Sequence, residues 1–539
     1  CICCIVLSHL CNMLCEAALC LYTPVLVLPD GKLRGFHAPL TNQYKYLGIP
    51  YATARRFQLP DVPLKWNGIL NAINPSATCP QAISYLIIGN EDCLYLDVHT
   101  PAHTGAHLPV MVFIHGGAYY HGAKYHYDPA FLVTNNVIVV IINYRLGVLG
   151  FLCVNGVSNL GIRDQIAALK WVRRNIVHFG GDPDNVTLFG QSAGASAAGM
   201  HLLINQSKQL FHKLILQSGN PIAPWAFTID PVESSLNDAK ALGAESNNEK
   251  EIFETFHNAS LFDLLVATKD TSINSKYFKY SPCVDGDLFA GAPYDILKSG
   301  NYNKVPTIVG VTDNEGLLFY GLHNEHTFNE FNANFDDKLP AVFNGCSAET
   351  RTDISNQLRE HYFNNKTIDR DIYSNISNYY GDWIAYSSCE QFAKLLASKM
   401  ASVYSYIFSY SGDRNLGKFW FTPDVRVSGA SHTDDVFYVF KPLGINMILT
   451  NRDKLIVDRM AAMWTNFART GNPTPLQSNL LPTIWEPYNN NNEVFNIDIN
   501  MKMTRLPERL RGHYFMKLLC QYGKSGYVPC DAAQQHACQ

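Results

Sequence analysis

The sequence is poor in charged residues and has no surplus of positive charge. Charged residues make up 16% of the 539 residues, and the formal net charge is -4. A protein without a basic surface does not attract a phosphate backbone, so we expect a small-molecule partner and no nucleic acid. We also find no internal repeat and no long low-complexity segment, whereas hydrophobic residues reach 47%. This composition predicts a globular protein with a large buried core.

A hydrophobic run long enough to span a membrane is lacking after residue 20. Residues 1–20 are apolar and rich in cysteine, but polar residues such as Glu16 interrupt them, and the run is short for a bilayer helix. The alternative is a membrane anchor. We interpret these residues as the remnant of a signal peptide that ends in small residues near Ala18. This predicts a secreted protein with no stable membrane anchor, in which residues 21–539 form a single domain.

The cysteine count fits an exported chain. Six of the 15 cysteines lie in residues 1–20, which leaves an odd number for the rest and predicts at least one free thiol. Cys79 and Cys93 close a short loop, and an oxidising compartment would preserve a disulfide between them. Five glycosylation triplets agree with secretion, and they begin at Asn185, Asn205, Asn258, Asn365 and Asn375.

Six apolar runs rich in β-branched residues alternate with helical patterns, which predicts an α/β fold with a mostly parallel sheet. Between the second and third runs, Ile162, Ile166, Leu169 and Val172 recur at helical spacing, so we expect a strand-helix-strand crossover. Residues 231–287 are polar and helical in character and predict a cap segment inserted over the sheet. The six runs are residues 110–114, 137–142, 186–189, 214–216, 305–311 and 403–408.

A candidate nucleophile follows the third apolar run. The segment Gly-Gln-Ser-Ala-Gly at residues 190–194 lies between this predicted strand and a helical pattern at residues 195–203, which places Ser192 at the apex of a sharp turn. The glycines permit the tight backbone, the hydroxyl projects above the sheet edge, and the helix N-terminus directs its dipole at the site. We therefore interpret Ser192 as a catalytic nucleophile, rather than as part of a structural turn.

A serine hydroxyl is a weak nucleophile at neutral pH unless a base takes its proton and a carboxylate orients that base. Two carboxylates, Asp313 and Glu315, follow the predicted strand at residues 305–311, at the end where open α/β sheets build their sites. Either residue suits the role of the acid, and the other role for Asp313 is the capping of a turn.

His432 is the candidate base among the 18 histidines. It lies in a loop after the last apolar run, and the small residues Gly429, Ala430 and Ser431 precede it, so its ring has room to approach Ser192. The chain order of serine, acid and histidine also suits a hydrolase of this architecture.

When a serine attacks a carbonyl carbon, the tetrahedral intermediate needs N–H donors directed at its oxyanion. The first apolar run leads into His-Gly-Gly-Ala at residues 115–118, where the backbone is free to turn its amides toward a ligand. We assign the N–H groups of Gly117, Ala118 and Ala193 as these donors. The methyl group of Ala118 is expected to narrow the acyl side of the site.

Taken together, these segments closely resemble the type B carboxylesterase and cholinesterase family of α/β-hydrolases, from about residue 27 to residue 485. The resemblance implies an enzyme that hydrolyses carboxylic esters through an acyl-enzyme and uses neither a metal nor an organic cofactor. It favours Glu315 over Asp313 as the acid. Further matching motifs include Glu91-Asp-Cys-Leu-Tyr-Leu, Asn143-Tyr-Arg, Asn159-Leu-Gly-Ile-Arg-Asp-Gln, Gln217-Ser-Gly and Trp464-Thr-Asn-Phe-Ala-Arg-Thr-Gly-Asn-Pro.

The resemblance also implies structural roles around the site. Ser218 and Asp435 are expected to support the catalytic residues from behind. Two ion pairs are expected, and they join Arg56 to Glu91 and Arg145 to Asp164.

Two departures from the family pattern bear on the substrate. In cholinesterases the loop closed by the first disulfide is longer and carries a tryptophan that binds choline, but no tryptophan lies between Cys79 and Cys93. Gln191 and Ala118 instead look like the insect juvenile hormone esterases, which cleave a lipophilic ester. We therefore predict uncharged lipophilic esters as substrates. A broad-specificity digestive or detoxifying esterase is the alternative within the enzyme class, and a non-catalytic adhesion or binding protein is the alternative outside it.

Four aromatic residues lie close in sequence to the oxyanion strand or the acid. They would either line an apolar gorge or pack in the core, and both interpretations stand. They are Tyr119, Tyr120, Phe319 and Tyr320.

Overall fold

The computed structural model describes residues 21–83, 86–102, 107–269, 278–422, 427–442, 449–489, 491–530 and 538. The predicted signal-peptide remnant lies outside these residues. A sheet of 11 strands forms the centre, in the order β11-β10-β9-β8-β7-β6-β4-β5-β3-β2-β1. In chain order its strands are β1 (Phe36–Ala38), β2 (Gln43–Pro50), β3 (Tyr95–Pro101), β4 (Leu108–Ile114), β5 (Ile138–Ile142), β6 (Gly181–Gln191), β7 (Lys213–Gln217), β8 (Thr307–Thr312), β9 (Val403–Phe408), β10 (Glu493–Ile497) and β11 (Lys502–Arg505).

The middle of this sheet is parallel, as the apolar runs predict. Strands β4 to β9 correspond to the six runs, and all of their pairings with one another are parallel. Strand β10 joins them in parallel, whereas β1, β2, β3 and β11 pair antiparallel with their neighbours. The prediction of an α/β-hydrolase fold is thereby confirmed. There are also three small sheets among the described residues. In the first, Gly31–Arg34 pairs with Leu26–Leu28 on one side and with Ile69–Asn71 on the other. The other two pair Gln81–Ile83 with Leu86–Ile88 and Tyr127–Asp128 with Lys441–Pro442.

Helices connect and cover the strands. The predicted crossover helix is α3, which continues as a 3-10 helix to Phe179 and ends at Gly180, where φ is 85°. The described part of the predicted cap segment contains the three helices α5, α6 and α7. The α-helices are α1 (Ala130–Val133), α2 (Gly147–Phe151), α3 (Leu160–Asn175), α4 (Ala193–Met200), α5 (Pro231–Ala241), α6 (Glu249–Asn258), α7 (Leu261–Thr268), α8 (Pro293–Ser299), α9 (Leu317–Gly321), α10 (Glu325–Ala333), α11 (Ala348–Phe363), α12 (Tyr373–Gly381), α13 (Ser387–Ala397), α14 (Leu416–Phe421), α15 (Asn451–Thr470) and α16 (His513–Tyr522).

The two faces of the sheet bury separate hydrophobic clusters. Along β4, Val110, Val112 and Ile114 belong to one cluster, while Met111 and Phe113 belong to the other. Successive side chains of a strand point to opposite faces, so both faces of this strand are covered. The carboxyl ends of the parallel strands share one edge of the sheet, and the candidate site residues follow β4, β6, β7, β8 and β9 at that edge.

Four disulfides cross-link the described residues, and Cys389 is a buried free cysteine among them. The Cys79–Cys93 bond was expected from its short loop, whereas two others join residues 130 and 192 positions apart, a separation that sequence spacing does not reveal. No helix in the described part of the chain is long and apolar enough to cross a membrane. The remaining disulfides are Cys153–Cys283, Cys346–Cys538 and Cys520–Cys530.

Candidate active site

Ser192 lies at the sharp turn between β6 and α4, with φ of 56° and ψ of -128°. Its N–H donates to the carbonyl oxygen of Gln217 at the end of β7, at 2.8 Å. The flanking glycines leave no room for a side chain, because a Cβ on Gly190 would lie 2.3 Å from the Gly194 carbonyl oxygen and one on Gly194 would lie 2.1 Å from that of Ile114. Steric packing of the backbone therefore fixes this serine elbow, residues 190–194.

Glu315 and His432 form a buried pair. The Oε2 atom of Glu315 lies 2.5 Å from Nδ1 of His432, and the glutamate side chain is fully buried. The other carboxylate oxygen accepts hydrogen bonds from the Ser218 hydroxyl at 2.6 Å and from the N–H of Thr312 at 2.7 Å. A carboxylate held at both oxygens retains the proton on Nδ1, which leaves Nε2 of the imidazole as its basic atom.

Nε2 of His432 is directed at the serine elbow. It lies 3.2 Å from the side-chain nitrogen of Gln191, the residue before Ser192. Among the hydrogen bonds of the described residues, none joins the Ser192 hydroxyl to His432. Catalytic hydrogen bonds are commonly long before substrate binds and tighten in the complex. The arrangement therefore brings acid and histidine into direct contact and the histidine next to the elbow.

The turn that carries two of the predicted oxyanion donors begins next to the serine. A Cβ on Gly116 would lie 3.1 Å from the Ser192 Cβ, so the turn after β4 reaches the elbow. Gly117 and Ala118 both have positive φ, at 114° and 57°, which turns their amides away from the strand. No hydrogen bond within the described parts of the chain uses the N–H groups of Gly117, Ala118 or Ala193 as donors. These three N–H groups therefore have no acceptor among the described residues.

Asp313, the competing acid, contacts a different group. Its Oδ1 accepts a hydrogen bond from the N–H of Ala430 at 2.7 Å, and Arg509 lies 3.7 Å from its other oxygen. Burial raises the pKa of Asp313 to about 6. This carboxylate therefore holds the backbone of the loop before His432, while Glu315 is the acid that touches the imidazole.

The supporting residues that the family resemblance implies, Ser218 and Asp435, are buried and form hydrogen bonds next to the site. Ser218 donates to Glu315, as described above, and Asp435 accepts hydrogen bonds from Gln217 at 2.9 Å and from the Tyr406 hydroxyl at 2.7 Å. Burial raises the pKa of Asp435. The two expected ion pairs are present, with N–O distances of 2.5 Å for Arg56–Glu91 and 2.7 Å for Arg145–Asp164.

Known proteins are similar to this chain over most of its length. A model of the carboxylesterase family matches residues 22–515. Esterase FE4 of Myzus persicae is 33% identical over 511 residues, which cover 89% of each chain. The acetylcholinesterase of Bungarus fasciatus is 34% identical over 510 residues, which cover 85% of this chain and 82% of the relative. The juvenile hormone esterase of Tribolium castaneum is 30% identical over 511 residues, which cover 85% of this chain and 86% of the relative.

The chain belongs to the carboxylesterase family. It is a carboxylesterase that acts on small esters, and its 11-stranded sheet with flanking helices is the fold expected for that family. The resemblance drawn from the motifs is thereby confirmed.

A row of aromatic rings borders the site of this carboxylesterase. It begins at Phe319, whose ring centroid lies 5.9 Å from that of His432, and it ends at Tyr119, which follows the predicted oxyanion donor Ala118. Adjacent rings in the row lie 4.8 to 6.4 Å apart, within the range of aromatic contacts. We call this row the aromatic wall, and its members in order are Phe319, Tyr380, Trp383, Phe278, Trp225 and Tyr119.

A cavity of about 400 Å³ opens on the aromatic wall at Trp225, Phe278 and Trp383. Polar side chains, among them Asn237 and Arg351, line it as well. Of the four aromatic residues considered in the sequence, Phe319 and Tyr119 belong to the wall. The other two pack against different rings, Tyr120 against Tyr280 and Tyr320 against Phe328 and Tyr373.

Two residues of the site were missed in the sequence. One is Gln191, whose identity bears on the family resemblance but whose contact with His432 no sequence pattern indicates. The other is Asp434, a fully buried carboxylate that accepts a hydrogen bond from the N–H of Ser431 at 2.7 Å. The signal for Asp434 was its place beside Asp435, because two adjacent carboxylates after a candidate histidine need partners if they are buried.

Proposed function

We propose that this carboxylesterase is a secreted enzyme that hydrolyses uncharged lipophilic esters through an acyl-enzyme on Ser192. In this proposal His432 is the general base, and Glu315 orients it and stabilises the imidazolium. The N–H groups of Gly117, Ala118 and Ala193 form the oxyanion hole. The family relationship supports ester hydrolysis, and the roles of these residues are our assignment.

The observation that carries the assignment is the contact between Glu315 and His432 at 2.5 Å, with the basic nitrogen directed at the serine elbow. The positive φ of Ser192 supports it, because strained backbone is often retained at catalytic turns. Among the described residues, the N–H groups of Gly117, Ala118 and Ala193 donate no hydrogen bond, which supports their role in the oxyanion hole.

The reaction follows from these positions. The Ser192 oxygen attacks the ester carbonyl carbon while its proton passes to Nε2 of His432, and the carbonyl oxygen becomes an oxyanion held by the three N–H groups. The intermediate expels the alcohol, which takes the proton from His432. A water molecule then attacks the acyl-enzyme in the same way and releases the carboxylic acid and free Ser192.

The aromatic wall supports lipophilic substrates, because its apolar rings can pack against apolar chains. Choline esters are disfavoured by the absence of a tryptophan in the Cys79–Cys93 loop. Juvenile hormone is the sharpest candidate substrate, since a relative named juvenile hormone esterase aligns over most of the chain. A broad-specificity esterase remains the second candidate, because two relatives carry the name esterase without a substrate.

Labelling with an organophosphate and a substrate panel test the proposal. The purified protein is expected to incorporate one organophosphate on Ser192, located by mass spectrometry, and to lose ester hydrolysis. The panel compares kcat/KM for esters of increasing acyl length, including juvenile hormone and a choline ester. A clear preference for juvenile hormone supports the specific role, and similar rates across the panel support the broad one. An unlabelled and inactive protein contradicts the catalytic proposal and favours a binding protein.

Secretion and a single domain belong to the same proposal. Four disulfides in the described residues support an oxidising compartment. Recovery of the full-length protein from the medium of expressing cells, with these bonds resistant to mild reduction, is the expected result.

A further inference from the structure

The segment that carries His432 has little regular structure of its own. We call residues 427–433 the histidine loop. Two of its consecutive amides, those of Ala430 and Ser431, donate to carboxylates from different parts of the chain. The next residue is His432, so these two hydrogen bonds set the position from which the imidazole projects.

Asp434, two residues after His432, binds the second of these amides, that of Ser431. Its Oδ2 accepts from the N–H of Ser431 at 2.7 Å, and its Oδ1 accepts from the N–H of Lys418 on α14 at 3.2 Å. The N–H of Asp434 itself donates to the carbonyl oxygen of Ser431 at 3.0 Å. Both oxygens act as acceptors, so an amide side chain, which has one acceptor and one donor, would not replace the carboxylate.

Asp313 holds the first amide from the loop that carries the acid. Its Oδ1 accepts from Ala430 at 2.7 Å, while the N–H of Asn314 donates to the carbonyl oxygen of Ala430 at 3.0 Å. Glu315 follows directly in the chain. The contact with Ala430 therefore fixes the spacing between the segment that carries the acid and the segment that carries the histidine.

Lys418 completes the support of the histidine loop. Its Nζ donates to the carbonyl oxygens of Gly429 at 2.7 Å and Val427 at 3.0 Å. Its positive charge also faces Asp434 and Asp313 and stabilises both carboxylates. Buried backbone groups of an irregular loop need such partners, and here charged side chains supply them.

We propose that Asp434 and Asp313 are positioning residues that hold His432 in the geometry required for catalysis, by accepting hydrogen bonds from the two amides before it. This inference rests on the proposed role of His432 as the general base. Among the described residues, no hydrogen bond joins either carboxylate to the imidazole, so their effect passes through the backbone of the histidine loop. Small displacements of a catalytic group cost large factors in rate, because the reacting atoms leave the aligned geometry.

The variant Asp434→Asn tests the proposal in the full-length enzyme. We expect kcat to fall about ten- to a hundredfold while KM for a short-chain ester changes less than about threefold. We also expect the low-field proton NMR resonance of the His432 Nδ1–H, which is shared with Glu315, to shift or broaden. Asp313 is less buried than Asp434. Asp313→Asn is therefore expected to show the same pattern with a smaller loss of kcat.

Asp285→Asn is the matched control. Asp285 also accepts backbone N–H bonds in a turn, from Asp287, Leu288 and Phe289 at 2.8 to 3.1 Å, but this turn lies at the end of the cap segment and not in the histidine loop. This variant is expected to keep both kcat and the low-field resonance, even where its Tm falls. Wild-type kcat and an unchanged resonance in both folded Asp434→Asn and Asp313→Asn proteins would overturn the proposal.

Failure of the proposed function is distinguishable from failure of this inference. If His432 is not the base, His432→Ala retains hydrolysis, and the positioning role of Asp434 and Asp313 does not apply. If His432 is the base and the inference is wrong, His432→Ala is inactive while both aspartate variants keep their rate.

Discussion

Ser192 and His432 belong to two segments that are built in different ways. The serine elbow contains no charged residue, and its geometry follows from close backbone contacts such as that of Gly194 with Ile114. The histidine loop is irregular, and carboxylates and a lysine supply the partners of its backbone. One half of the site is therefore fixed by steric exclusion and the other half by buried charge.

The two segments are expected to respond differently to pH. Steric contacts are short-ranged and independent of pH, so the elbow keeps its form under all conditions that keep the fold. Buried carboxylates are costly to ionise, and burial raises the pKa of Asp434 from its ordinary value of 3.8 to about 7. We expect the histidine loop to respond to pH and to charge substitutions to which the elbow is insensitive.

The largest expected effect comes from removing the nucleophile. Ser192→Ala is expected to lower kcat by about five to six powers of ten, because no other group attacks the carbonyl carbon. The elbow does not depend on this hydroxyl for its backbone contacts, so the Tm is expected to stay within a few degrees. Ester hydrolysis and thermal unfolding of the same preparation check both points, and a folded variant with near-native turnover would contradict the assignment.

Removing the charge of the acid is the next largest effect. Glu315→Gln is expected to lower kcat about a thousand- to ten-thousandfold, since an amide permits the wrong tautomer and does not stabilise the imidazolium. Asp313→Asn is expected to cost less than about tenfold, because it loses only one backbone contact. Steady-state kinetics of the two variants rank the acids, and the reverse order would move the role of the acid to Asp313.

Thermal stability at two pH values distinguishes the ionic support of the histidine loop from the steric support of the elbow. Burial raises the folded-state pKa of Asp434 to about 7, so the native state binds more protons than the unfolded state from about pH 4 to pH 7. Its contribution to stability is present at low pH and is lost as the pH rises through about 7. We therefore expect the Tm advantage of wild type over Asp434→Asn to be larger at pH 5 than at pH 8.

Ser196→Ala provides the uncharged counterpart on the elbow side. Ser196 lies in α4, the helix that follows the nucleophile, and its hydroxyl donates to the carbonyl oxygen of Asn220 at 3.1 Å. Its loss is expected to lower Tm equally at both pH values. A gap for Asp434→Asn that does not change with pH would show that the buried carboxylate is not ionised in the way described.

The same contrast explains how much of the site the sequence predicts. The elbow is a local pattern of five residues between a strand and a helix, so its position follows from residues 186–203. The oxyanion residues follow from a strand and two glycines in the same way. Asp434 is different, because its partners Ser431 and Lys418 lie on either side of a long loop and its burial is a property of the folded chain.

The fold shows a similar division. The parallel strands β4 to β9 are buried on both faces and appear as apolar runs, so the sequence predicts all six. Strands such as β2 and β11 contain polar residues, for example Lys45 and Lys502, and are recognised only through their pairing with neighbours. The apolar pattern of the sequence therefore predicts the central strands that carry the site and misses the outer strands of the sheet.

The smallest expected effect concerns a side chain on the sterically fixed half of the site. Ala118 contributes its N–H to the proposed oxyanion hole and has a φ of 57°, which glycine adopts without strain. Ala118→Gly keeps the donor and removes the methyl group from the acyl side, so kcat/KM for an acetate ester is expected to change less than about threefold. Esters with branched acyl groups are expected to gain several-fold, because the pocket beside the carbonyl widens. A loss of more than about tenfold on acetate would mean that the methyl group itself positions the turn. The two halves of the site would then both depend on side chains, and the division between steric and ionic support would not hold.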